Sequence, residues 1–308
     1  MADWAVRVPA SSANLGAGFD VLGMALALHA ELGLGPVPRG ARVADEHHPA
    51  TVAFRRLGGE GDLWVRSSIP MGRGLGFSGA VRVGGAAVAV VQQHGPAALD
   101  ADEQTDRVLA VASELERHAD NAAASLHGGV VIAAADTATR VPMAFDPAVV
   151  VWIPELTTTS TDESRTALAA QVSRDDAVFN LGRIAMFVAA CASGDSSALR
   201  AATSDRLHQA VRLQRVPASA RAIDAGLAAG AWAAWLSGSG PTVAMFCESS
   251  RAAEIAGQLP DDGHAKVLRI DHQGAMVTAV VDGADDPAGD PIDEAADAAG
   301  VSPGDPGA

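Results

Sequence analysis

Between Pro70 and Ala80 the chain reads Pro-Met-Gly-Arg-Gly-Leu-Gly-Phe-Ser-Gly-Ala. Glycines at Gly72, Gly74 and Gly76 let the backbone turn tightly and present N–H groups. The Ala- and Val-rich residues 80–93 behind them read as a helix whose positive end faces the loop. Such a loop can cradle a phosphate; taken alone it can also be a turn that merely reverses the chain. A second loop, Leu236-Ser237-Gly238-Ser239-Gly240-Pro241-Thr242, lies between two apolar stretches and again offers N–H and hydroxyl groups. Two such loops in different parts of one chain point to a ligand held in a cleft between domains. Glu114-Leu115-Glu116-Arg117-His118-Ala119-Asp120-Asn121 brings three carboxylates, an imidazole and an amide to the end of a predicted helix. A capped, solvated helix end is the ordinary reading; beside a phosphate loop, a carboxylate can also hold a hard cation for phosphoryl transfer. Arg165, Arg206, His208 and Arg212 remain as polar candidates, arginine being suited to a bidentate grip on a carboxylate. Cys191, in an apolar helix, reads as core.

The elements that must position these groups follow from periodicity. Residues 4–8 and 22–33 read as strands around a loop, Pro9 to Asp20, of small and turn-forming residues. Residues 62–68 read as a strand leading into the phosphate loop. Helices are predicted over 103–117 and 120–126, and buried strands over 128–134 and 148–153. Beyond Pro154 come helices near 174–192, 195–204, 217–229 and 250–258, with strands at 231–236, 242–247, 265–270 and 276–281. This is an α+β chain of two domains, 1–150 and 151–281. A G-x-G-x-x-G match at Gly74, Gly76 and Gly79 fits a dinucleotide fold poorly, because residues 99–117 continue as helix where a second strand is required. A Walker loop is excluded: the only lysine among the 308 residues is Lys266.

Composition narrows the partners. Nearly half the residues are hydrophobic, and the net charge of -15 offers no electrostatic attraction for nucleic acid or an anionic membrane surface. Eight of those charges fall in residues 282–308 among Gly, Pro and Ala, a composition that reads as a disordered acidic tail. Cys191 and Cys247 have neither paired nor metal-binding spacing, and the N-terminus lacks a basic and apolar leader, so a reducing cytoplasm is expected.

Five segments taken together resemble the homoserine kinase family of the GHMP kinase superfamily. They are Ser11 to Asp20, Pro70 to Ser78, His118 to Asn121, Asp205 to Gln209, and Leu236 to Thr242, in matching order and spacing across about residues 4–281. The resemblance implies a ribosomal-S5-like N-terminal domain, a ferredoxin-like C-terminal domain, ATP with Mg2+, and a homodimer. It implies that Pro70, Gly72, Arg73, Gly74, Leu75, Gly76, Ser78 and Gly79, with Ser237, Gly238, Ser239 and Gly240, contact the nucleotide, and that Ser78 and Glu116 hold Mg2+. Asn14, Asp20, His118, Asn121, Arg165 and Arg212 would line the homoserine site, Asp20 meeting the ammonium and the two arginines the carboxylate. Asp20, Asn121 and Arg165 would stand at the reacting groups. The implied product is O-phospho-L-homoserine, on the way to threonine, formed chiefly by alignment and charge neutralisation, with Asp20 as general base the alternative. The phosphate loop departs from the family's usual Gly-Leu-Gly-Ser-Ser-Ala at Phe77 and Gly79. A phenyl ring cannot bond a phosphate, so either Phe77 turns into the core or nucleotide handling has changed. The latter leaves open another small hydroxylated substrate or a non-catalytic ligand-binding relative. The stretch from Pro36 to Ile69 is short, and the tyrosine usual before the arginine is replaced by Val211.

Overall fold

A computed structural model describes residues 4–134, 137–155 and 161–280; the predicted acidic tail lies outside these. In chain order the first part contains β1 (Trp4–Ala13), β2 (Leu22–Leu34), β3 (Arg42–Val43), α1 (Pro49–Arg56), β4 (Leu63–Ser67), α2 (Phe77–His94), α3 (Asp102–Glu116), α4 (Asp120–His127), β5 (Val130–Ala134) and β6 (Thr137–Arg140). Then follow β7 (Ala148–Pro154), α5 (Thr161–Thr166), α6 (Arg174–Ser193), α7 (Leu199–Ala202), α8 (Gln209–Arg215), α9 (Pro217–Ala228), β8 (Ala233–Leu236), β9 (Val243–Cys247), α10 (Ala252–Ala256), β10 (Gly263–Leu268) and β11 (Met276–Ala279).

The long strand β2 organises the first sheet. It pairs antiparallel with β1 along one edge, while its other edge is shared, Leu22–Met24 bonding β5 and Ala30–Leu34 bonding β4. β1 differs from the sequence reading, which ends the strand at Val8. Pairing continues through a register shift at Pro9/Ala10 as far as Ala13 opposite Gly23, so Ser11 and Ser12 are strand residues and not loop. Their small size reads as a turn, but it serves close packing. Helices α2 and α4 pack against β1 and β2 of this sheet. Helix α2 is buried along most of its length, and α1 approaches it so closely that a Cβ on Gly85 would lie 2.1 Å from the Ala50 carbonyl oxygen.

The second sheet has the antiparallel order β10-β7-β9-β8, with helices between β7 and β8 and α10 between β9 and β10. That is the split βαβ arrangement of a ferredoxin-like unit. Strand β7 is buried on both faces: Val149, Val151 and Ile153 join the core beneath the first sheet, whereas Val150 and Trp152 face a second cluster with Ala222, Met245 and Ile255. Because Trp235, Phe187 and Phe246 also belong to the first cluster, one core runs through both units. The last strand, β11, read from sequence with the second domain, pairs instead with β1 at the edge of the first sheet.

Helix α6 has the length and apolarity of a membrane span. Its Phe187, Ala190 and Cys191 are nevertheless core residues, and Asn180 donates to the Ala17 carbonyl and to Asp205.

Candidate active site

Three loops meet where the two units face each other: residues 14–21 after β1, residues 70–76 before α2, and residues 237–242 between β8 and β9. Backbone hydrogen bonds lace them together, from Ser11 N–H to Leu75, Gly238 N–H to Ala13 and Thr242 N–H to Arg73. Gly74 sits at φ +76°, and a Cβ there would lie 2.5 Å from the Ser237 carbonyl and 2.7 Å from that of Gly240, so only glycine permits the approach. The loop ends at Gly76, a left-handed residue that starts α2 with no side-chain cap. The first-turn N–H groups of a helix have no intrahelical acceptor, so they are available to an anion. A cavity of about 330 Å³ opens at this helix end, lined by Pro70 to Gly79, by Asn14, Asp20, Glu116, His118, Asn121, Arg165 and Arg212, and by Gly238 and Ser239.

Two expected nucleotide contacts, Ser237 and Gly240, do not line the cavity. Ser237 is fully buried, donating to the Gly74 carbonyl at 2.6 Å and bonding Ser12 Oγ at 2.8 Å, while Trp235 Nε1 reaches the same Ser12 hydroxyl at 3.0 Å. Ser237 thus holds the phosphate loop from behind. Arg73 lines the cavity, but its guanidinium is anchored at the end of β7, donating to the carbonyls of Pro154 and Glu155. These two carbonyls lie far along the chain, a meeting that sequence cannot foretell.

Phe77 turns partly into the core, its ring edge-on to His48 with centroids 6.2 Å apart. With Met71, Arg42, His48 and Pro49 it walls one end of the cavity. Arg42, His48 and Pro49 come from β3 and the start of α1, elements without a signal in the sequence reading.

At the other end, Asn14 and Asp20 hold left-handed backbones at φ 71° and 58°, which short polar residues tolerate best. Asn14 donates to the Gly238 carbonyl at 2.9 Å and accepts the Asp20 N–H at 3.1 Å, tying the first loop to the third. Arg165 grips Asp20 with two hydrogen bonds of 2.7 and 2.8 Å. Arg212 is buried and donates to the Gly238 carbonyl and to His208 Nδ1, each at 3.1 Å. His208 Nε2 bonds the Gly16 carbonyl at 2.8 Å, which requires its hydrogen there, so the ring is neutral with Nδ1 as acceptor. Burial, the largest influence, and the Arg212 charge agree in lowering its pKa. Both guanidinium groups lie over the Phe19 ring, at 5.5 Å for Arg165 and 5.3 Å for Arg212. Phe19 was not singled out from sequence, although it stands next to Asp20. Arg206 stacks on Phe179 outside the cavity, and the Cys191 thiol, pushed up to about 12 by burial, is inert core.

His118 and Asp120 form a buried pair with Nδ1 and Oδ1 2.6 Å apart. Burial opposes the imidazolium most strongly, but the hydrogen bond and charge of Asp120 outweigh it, and the His118 pKa is raised. Asn121 accepts from Ser11 Oγ at 2.9 Å at the start of α4. Ser78 donates to Glu116 Oε1 at 2.6 Å across the α2–α3 boundary. These are two hard oxygen donors beside a phosphate cradle. Among the described residues no cluster of three or more His, Cys, Asp or Glu forms a metal cage; Mg2+ bound by one carboxylate, phosphate oxygens and water needs none. Arg82, absent from the sequence reading, joins this pair; its spacing of four residues from Ser78 is the signal that could have revealed it.

The match to known proteins follows this geometry. Residues 42–129 match the GHMP kinases N terminal domain and residues 187–265 the GHMP kinases C terminal domain. A homoserine kinase of Moorella thermoacetica is 37% identical over 295 residues, covering 89% of this chain and 94% of its own. One from Leifsonia xyli is 36% identical, covering 91% and 93%. The crystal structure of homoserine kinase from Cytophaga hutchinsonii superposes with a TM-score of 0.76 at 25% identity, covering 90% of this chain and 98% of the other. A Methanococcus jannaschii mevalonate kinase shares the fold, with a TM-score of 0.63 at 14% identity and coverage of 86% and 98%. Fold and phosphate loop thus define a GHMP-type small-molecule kinase. Within that class, the chain belongs to the homoserine kinase family.

Proposed function

We infer that the protein transfers the γ-phosphoryl group of ATP to the side-chain hydroxyl of L-homoserine, giving O-phospho-L-homoserine and ADP. The observation that carries this reading is the shared cavity: the N-terminus of α2 opens at one end, and Asp20, Arg165 and Arg212 stand at the other. An amino-acid substrate is a zwitterion. Its ammonium would take Asp20 and its carboxylate Arg165 and Arg212, so the Asp20–Arg165 pair is exchanged for contacts of the same charge pattern. Asn14 holds Asp20 in place, while Asn121 and His118 orient the substrate from α4 and the turn before it. The loop N–H groups from Gly72 to Gly79 would receive the phosphates, with Ser239 closing the far side. Ser78 and Glu116 would hold Mg2+, which neutralises phosphate charge when bound. Alignment of hydroxyl and phosphoryl group, with donors fixed beforehand, then accounts for most of the acceleration.

A homodimer fits the exposed Val178, Leu181 and Met186 along one side of α6. Two buried free thiols suit a reducing cytoplasm.

The test is to incubate purified protein with ATP, Mg2+ and homoserine and follow the product by mass. Phosphohomoserine formed in step with ADP is the expected result. ADP release that ignores homoserine but responds to another hydroxylated metabolite would replace the substrate, and no nucleotide turnover with any acceptor would sink the kinase reading.

A further inference from the structure

Helix α2 starts at Phe77, so Ser78 lies in its first turn and Arg82 one turn further on, on the same side. Side chains lean toward the N-terminus of their helix, which brings the Arg82 guanidinium back over Ser78. Arg82 Nη1 donates to Ser78 Oγ at 2.8 Å and forms an ion pair with Glu116 Oε1, the same oxygen that accepts the Ser78 hydroxyl. Guanidinium, hydroxyl and carboxylate therefore close a triangle at the two groups assigned above to the divalent cation. The triangle is shielded, with side-chain exposures of 21% for Arg82 and 10% for Glu116, so its charges are weakly screened. Arg82 Nε is buried without a partner, so one donor of the guanidinium is unmet and becomes available once the side chain moves. On the far side of the carboxylate, His118 Nε2 lies 4.0 Å from Glu116 Oε2.

We propose that Arg82 is a resident counter-cation of the Ser78–Glu116 pair and competes with the divalent metal for it, thereby setting the metal affinity of the site. Without nucleotide, the guanidinium satisfies Glu116 and keeps it oriented toward Ser78, so a free divalent ion has to displace a positive charge already hydrogen-bonded to both groups. The phosphates of an incoming nucleotide offer Arg82 an alternative partner, and the carboxylate becomes available as the metal–nucleotide complex enters. Free metal then binds poorly, and metal and nucleotide strengthen each other's binding by the same factor, as linkage requires. This inference rests on the phosphoryl-transfer reading for the placement of the metal.

The experiment is a Mn2+ titration followed by electron paramagnetic resonance, without homoserine, on the full-length protein alone and with a non-hydrolysable ATP analogue. Arg82→Met should bind Mn2+ at least about tenfold more tightly than wild type in the absence of nucleotide, about 1.4 kcal/mol. Its affinity should also gain less on adding the analogue. Arg82→Lys keeps the charge and should stay within about threefold of wild type. Arg82→Gln serves if the methionine variant does not fold. Equal or weaker Mn2+ binding by the neutral variants overturns the proposal, as does absence of bound Mn2+ in every protein. Phosphohomoserine formation by wild type, measured separately, distinguishes the two ideas: product with unchanged Mn2+ binding removes the role of Arg82 alone, whereas altered Mn2+ binding without product removes the substrate assignment alone.

Discussion

Arg165 and Arg212 line the end of the cavity proposed to take the substrate carboxylate, and their different burial separates binding from stability. Arg165 has a side chain 37% exposed, whereas Arg212 is 4% exposed and holds the Gly238 carbonyl and His208. Replacing either by alanine should raise the KM for homoserine by about tenfold or more, the effect of about 1.4 kcal/mol. Only Arg212→Ala should also lower the melting temperature, since it strands buried acceptors at about 1–3 kcal/mol. Equal melting points for the two variants would contradict this division. His118 supplies a pH test. Its pKa is raised in the folded protein, so the stabilisation from its pair with Asp120 is complete below the unfolded value near 6.5 and is lost as pH rises through the raised value. The His118 ring resonance should therefore titrate above 6.5, and Asp120→Asn should bring its midpoint down; a midpoint at or below 6.5 in the wild type would refute the pairing. At this scale residue types and motifs made most of the cavity legible. What they could not reveal was direction. Ser237 and Arg73 are polar residues in the right loops, yet their side chains bond backbone carbonyls that only the folded chain brings near them.

Helix starts and glycine turns dominate at the level of elements. Gly76 has φ +69°, and a Cβ there would lie 2.0 Å from Ser11 Oγ and 2.9 Å from Asn121 Oδ1. Gly76→Ala should therefore lose nucleotide binding and stability together. Gly182, within α6, offers the opposite case, because a Cβ there meets nothing within 4 Å. Gly182→Ala should stabilise the protein by about 0.5–1 kcal/mol, the ordinary gain of replacing glycine in a helix interior. Thermal melts of the two variants check both statements, and a stable, nucleotide-binding Gly76→Ala would show that the loop can relax. The strongly periodic strands and long helices were readable from sequence. Helix α8 was not: its seven residues carry no capping residue of their own, and Asp205 supplies the cap by accepting the N–H groups of His208 and Gln209. Helix α1 begins with Pro49 after a His48 cap, not after the serine, threonine or acidic residue that usually marks a start.

For the whole molecule, the shared core outweighs the two-unit description. One cluster includes strand residues of both sheets, so calorimetry should record a single unfolding transition whose van't Hoff and calorimetric enthalpies agree; two separated transitions would show units that unfold independently. A chain ended after Ala275 lacks β11, leaves the edge of β1 unpaired and should melt at lower temperature, while one ended after Gly283 should melt as the full chain does. Nothing in Met276–Ala279 marks which sheet the strand joins, which is why sequence reading assigned it with its neighbours. The Ser12–Trp235–Ser237–Gly74 linkage extends the same point to ancestry and engineering. A hydroxyl and an indole from one half, a hydroxyl from the other and a glycine carbonyl in the ligand loop form a single joint. Recombining this chain with a distant relative near residue 150 would part the members of that joint. Such a chimera keeps the joint only where both parents carry a serine, tryptophan and serine at positions 12, 235 and 237, so grafting loops disturbs it less than swapping halves.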